Sequence, residues 1–177
     1  STGIEGRYNF EYDNQGRVSF YNYCYLTNSG TCESNDTSTF TYSSNGTVTV
    51  SFVYNVGTDN EEAETYTLQF DNNGNITSAY DSYLNASFQY DNQNSPYKNI
   101  VGMDAIMLLE FGANILQFNA YNNCTSYNFD YSDTDDADDI NRYYAYDYNE
   151  DGYPRQVIVT GSSDGGSDNS TIEINYY

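Results

Sequence analysis

The sequence predicts an all-β fold, an antiparallel up-and-down meander of about 12–13 strands curling into a barrel-like shell. Three observations carry that expectation. A short spelling recurs along the chain: an apolar residue, any residue, an aromatic, three turn-forming residues and then Gly. Tight turns alternate with longer polar connections. Strand-like runs are apolar on one face and rich in Ser, Thr or Gln on the other.

The full copies are Phe10–Glu11–Tyr12 ending at Gly16, Phe40–Thr41–Tyr42 ending at Gly46, Leu68–Gln69–Phe70 ending at Gly74, and Tyr146–Asp147–Tyr148 ending at Gly152. Phe88–Gln89–Tyr90 ending at Asn94 is a weaker copy. In the first, Asp13 accepts hydrogen bonds from amides two or more residues on, Asn14 and Gln15 take type I turn angles, and Gly16 supplies the positive φ that closes the loop. That geometry pairs Asp13 with Arg17, Tyr12 with Val18 and Phe10 with Phe20, so apolar side chains meet on one face. By the same arithmetic Gly46 pairs Tyr42 with Val48 and Phe40 with Val50, and Gly74 pairs Phe70 with Ile76. Gly152 pairs Tyr144 with Ile158 but sets Gln156 against Tyr146, a poorer match.

Tight turns fall near residues 14–16, 43–46, 71–74, 91–94 and 149–152, with another at Tyr121–Asn122–Asn123. Longer connections fall at 27–37, 55–63, 81–84, 132–141 and 161–169. That alternation suits strands pairing with their sequence neighbours. Val18, Phe20, Cys24 and Leu26 mark the dry side of one strand, and Val48, Val50, Phe52 and Tyr54 that of another. A shell of so many strands has more interior than wall side chains fill. The apolar stretch from Ile100 to Phe111 is the natural filling, with Met103 to Phe111 as a short helix or plug; a buried strand fits its periodicity nearly as well. At 177 residues the chain reads as one domain, 1–177.

The formal charge is −21, from 26 acids against 5 bases, with 22 Tyr, 9 Phe and no Trp or His. Such a balance argues against nucleic acid as a partner, since nothing displaces its counterions. It argues equally against an anionic membrane surface. Strands this short, with Ser/Thr faces, do not suit a lipid-spanning barrel. Without His the commonest general base and the usual triads are missing, and no glycine loop opens a helix to hold phosphates. The expectation is a protein that is not an enzyme and carries no cofactor. Cys24 and Cys32 bridge the first long loop if the chain is exported, leaving Cys124 free; three unpaired thiols are the alternative. Residues 1–20 hold no apolar signal core, so any export signal has been removed or was never present.

Three stretches stand together here: Tyr12–Asp13–Asn14–Gln15–Gly16–Arg17–Val18, Asp91–Asn92–Gln93–Asn94–Ser95–Pro96, and Tyr146–Asp147–Tyr148–Asn149–Glu150–Asp151–Gly152–Tyr153–Pro154. The set resembles a Bacteroidetes family of exported envelope proteins, often lipoproteins, of unknown function and described as having a porin-like fold. The resemblance spans nearly the whole chain and implies a periplasmic or cell-surface location, tethering through a removed N-terminal lipid segment, and no active residues to carry over. Ser95 interrupts the family's Asn-Pro, which changes that turn. Tyr12 to Arg17 also resembles the tyrosine-aspartate repeats of shell-forming bacterial toxins, over that segment alone.

Candidate sites follow from residue chemistry. Tyr21, Tyr23 and Tyr25 alternate on what reads as the wetter face of one strand, and Tyr143, Tyr176 and Tyr177 extend the set. Exposed tyrosine beside Asn and Asp suits a glycan or an extended peptide; tyrosines that merely cover a sheet poor in aliphatics are the bland alternative. Asp133, Asp135, Asp136, Asp138 and Asp139 form the better place for weak divalent-cation binding, although a solvated acidic loop explains them as well. Asp147 to Gly152 copies half a calcium loop, but Ile158 stands where the bidentate Glu belongs. The functional expectation is a non-catalytic envelope protein binding an extracellular glycan or peptide. A structural component without small ligand, or one stabilised by divalent cations, is the alternative.

Overall fold

The computed structural model describes residues 6–27, 29–100, 103, 121–131, 140–163 and 166–176. Among these, the chain forms eleven strands: β1 (Gly6–Tyr12), β2 (Val18–Leu26), β3 (Cys32–Tyr42), β4 (Thr47–Tyr54), β5 (Glu62–Phe70), β6 (Ile76–Tyr80), β7 (Leu84–Tyr90), β8 (Cys124–Tyr131), β9 (Ile140–Tyr148), β10 (Pro154–Ser163) and β11 (Gly166–Glu173). Their order in the sheet is their order in sequence, with β1 and β11 at its edges. This is the antiparallel up-and-down meander that the turn spelling predicts. The chain divides into two compact units, Ser1–Leu68 and Gln69–Tyr177, which part within β5.

In the first unit the turn chemistry is as the sequence reads. The Asp13 amide donates to the Arg17 carbonyl at 2.8 Å and Gly16 has φ 78°. Asp13 accepts from the Gln15 and Arg17 amides at 2.9 Å and from Arg17 Nε at 2.8 Å. Those bonds, the Arg17 amide first, hold its carboxyl below the usual range. β3 and β4 pair as predicted, Tyr42 with Val48 and Phe40 with Val50. Val18, Tyr21, Phe40, Val48, Val50 and Leu68 are buried.

The β1–β2 register departs from expectation. Tyr12 does face Val18, but Glu11 then faces Phe20 and Phe10 faces Tyr21. Ser19 is therefore an extra residue on β2, a bulge, and past it the side chains of β2 exchange faces. The 27–37 connection is also shorter than predicted, because β3 begins at Cys32. The Cys24–Cys32 disulfide, with Cα atoms 5.6 Å apart, ties that connection.

In the second unit, Asp71 closes its turn by donating its amide to the Asn75 carbonyl at 2.9 Å. Three residues, 81–83, join β6 to β7, one fewer than the expected connection at 81–84. The predicted turn at 91–94 is not a hairpin. β7 pairs instead with β8, some thirty residues on, and the Asp91 amide donates to the Asn123 carbonyl at 3.0 Å. Asp91 holds this junction together. Its carboxylate accepts from the Gln93 amide at 3.0 Å, the Asn123 amide at 3.2 Å, the Asn123 side chain and the Tyr148 hydroxyl. Asn94 lacks the conformational freedom of Gly, so Asp91 keeps its local bond to Gln93 but turns the rest of its capacity to distant partners.

β9 and β10 carry a bulge at Arg155, which sets Tyr146 against Val157 and Tyr144 against Val159. The predicted pairing of Tyr144 with Ile158 is thus one residue out, and the correction exchanges Gln156 for Val157 in the core. Ile158 is 45 % exposed and Val157 fully buried. β10 and β11 also extend through the predicted 161–169 connection. The predicted plug at Met103–Phe111 lies outside the described residues except Met103, whose amide donates to the Ile100 carbonyl at 3.2 Å.

One device recurs in both units. A tyrosine hydroxyl donates to the carbonyl of the first residue of the preceding strand: Tyr42 to Val18 at 2.8 Å, Tyr90 to Ile76 at 2.8 Å, and Tyr146 to Cys124 at 2.6 Å. Tyr176, just past β11, does the same to Pro154 at 2.7 Å. Each satisfies a carbonyl where a ladder begins.

Candidate functional site

The Ser19 bulge decides where the tyrosines of β2 go. Tyr21 turns inward, 5 % exposed, with ring centroids 6.3 Å from Phe10, 6.5 Å from Phe40 and 6.1 Å from Phe52. Burial pushes its hydroxyl far above the usual tyrosine range. The expectation that Tyr21 belongs to a wet binding face is therefore wrong, because an unbulged strand was assumed. Tyr23 is half-buried on the same face, and Tyr25 is 43 % exposed.

The missing member of the patch is Tyr8 on β1, 50 % exposed. It stands opposite Tyr23, with ring centroids 4.5 Å apart and planes at 38°. Tyr25 meets Tyr23 edge-on, also at 4.5 Å. Three contiguous rings thus run to the margin of the sheet, the middle one held by the outer two. Gly6 makes room for them: a Cβ there would lie 2.1 Å from the Tyr23 hydroxyl oxygen, so any other residue displaces that ring. Tyr25 is anchored below. Burial raises its pKa, and the hydrogen bond and charge of buried Asp36 raise it further. Asp36 in turn accepts from the Asn55 amide at 3.0 Å.

The other candidates fall in the second unit or outside the described residues. Tyr143 is 57 % exposed and stands opposite Ser126 and Thr160, on the polar face of the second unit. Tyr176 spends its hydroxyl on Pro154, and Tyr177 lies outside the described residues. So do Asp133, Asp135, Asp136, Asp138 and Asp139. Among the described residues no three His, Cys, Asp or Glu side chains gather as a metal site.

A shallow cleft of about 430 Å³ opens at the β6–β7 loop, lined by Tyr80, Asp81, Tyr83, Asn85 and Asp130 among others. It was not read from the sequence. Asp81 is committed there to the turn, accepting from the Tyr83 and Leu84 amides at 2.6 and 2.7 Å. Tyr8 likewise escaped the sequence reading, for lack of any signal that β2 is bulged.

No family model and no curated protein matches the chain. Among solved structures, it is similar to a porin-like protein from Bacteroides vulgatus, with 14 % identity over 89 % of this chain and 73 % of that one and a TM-score of 0.54. A porin-like protein from Bacteroides uniformis aligns over 94 % of this chain and 86 % of that one at 13 % identity, but its TM-score of 0.26 carries no argument. The Bacteroides vulgatus protein has the porin-like fold that the turn sequences lead one to expect, and the strand order of this chain shares that fold.

Proposed function

We propose that the protein is a non-catalytic component of a bacterial envelope, exported to the periplasm or cell surface, that binds an extracellular glycan through Tyr8, Tyr23 and Tyr25. The observation that carries this reading is the run of three touching rings, two of them about half exposed, at the sheet margin. A pyranose presents an apolar C–H face that stacks on such rings, while hydroxyls at its rim find the phenol groups. Rigid tyrosines lose little side-chain entropy in doing so. A neutral glycan also suits a chain of charge −21, which repels anionic ligands. The disulfide supports export, because such bonds persist in oxidising compartments.

The test is a panel of neutral oligosaccharides, read by isothermal calorimetry, with the parent chain, Tyr8→Ala, Tyr25→Ala and, as a control, Tyr143→Ala. The expected result is binding by the parent and by Tyr143→Ala, weakened about tenfold in each platform variant, in line with one lost aromatic contact. No heat with any glycan, or equal binding by all four proteins, would remove the proposal.

A further inference from the structure

The sheet edge at β1 carries its own complement. Reading Gly6–Arg7–Tyr8–Asn9–Phe10–Glu11–Tyr12 outward from Asn9 gives an aromatic on each side, then a cation on one side and an anion on the other. We propose that β1 pairs antiparallel with β1 of a second copy of this chain, about a twofold axis through Asn9. Every dimer then sets Arg7 opposite Glu11 twice, Tyr8 opposite Phe10 twice, and Asn9 opposite Asn9, a self-complementary contact of the kind twofold symmetry requires.

Three further observations support the pairing. Arg7 and Glu11 are exposed, and β2 gives neither an opposite charge, since Arg7 faces Cys24 and Glu11 faces Phe20. Asparagine amides form a ladder that climbs to this edge: Asn22 Nδ2 donates to Asn35 Oδ1, and Asn9 Nδ2 to Asn22 Oδ1, both at 3.3 Å. Asn9 keeps one N–H and its own carbonyl for a neighbour beyond β1. The other edge is guarded. The β11 sequence carries Asp168 and Glu173 with no base, so two such edges repel. Centring the β1 pair on Arg7 or on Glu11 sets like charges together, which disfavours those two registers.

This inference does not rest on glycan binding, although Tyr8 belongs to both surfaces, and its test uses no glycan. Sedimentation velocity of the whole chain, over a concentration series at low salt, tests it with Arg7→Glu, Glu11→Arg and the double swap. The parent is expected to dimerise. Each single reversal should weaken the dimer about ten- to a hundredfold, because every dimer contains the pair twice, and the double swap should restore it. At concentrations too low for the dimer all four should melt alike, the changes being on an exposed edge. A parent that stays monomeric, a dimer indifferent to the single reversals, or a double swap as weak as the singles would each overturn the proposal.

Discussion

Phe10 stands opposite Tyr21, not Phe20, because Ser19 is left out of the β1–β2 ladder. That one residue decides which of two neighbouring aromatics enters the core. Tyr21 packs among Phe10, Phe40 and Phe52, while Phe20 is only half-buried. Tyr21→Ala should therefore cost about 3 kcal/mol or more, the usual penalty for deleting a buried aromatic, and Phe20→Ala clearly less. Urea unfolding of the two variants checks the order. Equal losses would mean that the bulge does not set the faces.

The tyrosine-to-carbonyl bonds make a second, separable claim. Tyr42, Tyr90 and Tyr146 each hold the first carbonyl of the strand before them. Replacing any of the three by Phe keeps the ring and removes the donor. Each change should cost about 1 kcal/mol, the ordinary net value of a hydrogen bond, and more where the carbonyl is left dry. Thermal unfolding should show Tyr42→Phe and Tyr146→Phe losses that add, since the two lie in different units and donate to different carbonyls. A neutral result for all three would reduce the recurrence to decoration.

These two features mark the limit of what the sequence tells. Gly16, Gly46, Gly74 and Gly152 all take positive φ where the spelling places them, because a local rule governs a local turn. Bulges at Ser19 and Arg155 carry no such residue, so the register beyond them could not be counted from the turn. Asp91 shows the opposite failure. Its neighbourhood spells a hairpin, yet its carboxylate is drawn to Asn123 and Tyr148, partners far away in sequence. The ring platform was legible in part: Tyr23 and Tyr25 were identified from their alternation, but Tyr8 joins them only once the bulge exchanges the faces of β2. The inward turn of Tyr21 has the same cause.

Alkali should unfold the protein through its buried and half-buried phenols. Burial raises the pKa of Tyr21, Tyr66, Tyr144 and Tyr146 well above their usual value of 10.0. The unfolded chain therefore loses these protons first as pH rises, while the folded state retains them. Their contribution to stability is complete below about pH 10 and falls away above it, towards the folded values. Absorbance at the tyrosinate band should show the exposed phenols titrating first and the buried ones ionising together with loss of circular dichroism. A single smooth titration, with structure retained, would contradict the packing of all four.

Thiol counting offers the last check, and it separates the two kinds of cysteine. Cys124 is fully buried, and its surroundings push the thiol up to about 12, so it is protonated and out of reach at neutral pH. Cys24 and Cys32 are joined. A thiol reagent at neutral pH should therefore find nothing in the oxidised, folded chain, one group after denaturation, and all 3 cysteines only after denaturation with reduction. Loss of the bridge frees the connection between β2 and β3, and the short loop it closes corresponds to roughly 2–3 kcal/mol. Cys24→Ser/Cys32→Ser should accordingly unfold at lower urea, yet leave Cys124 as unreactive as before in the native state. Labelling of Cys124 in the folded double variant would show that its burial depends on the bridge.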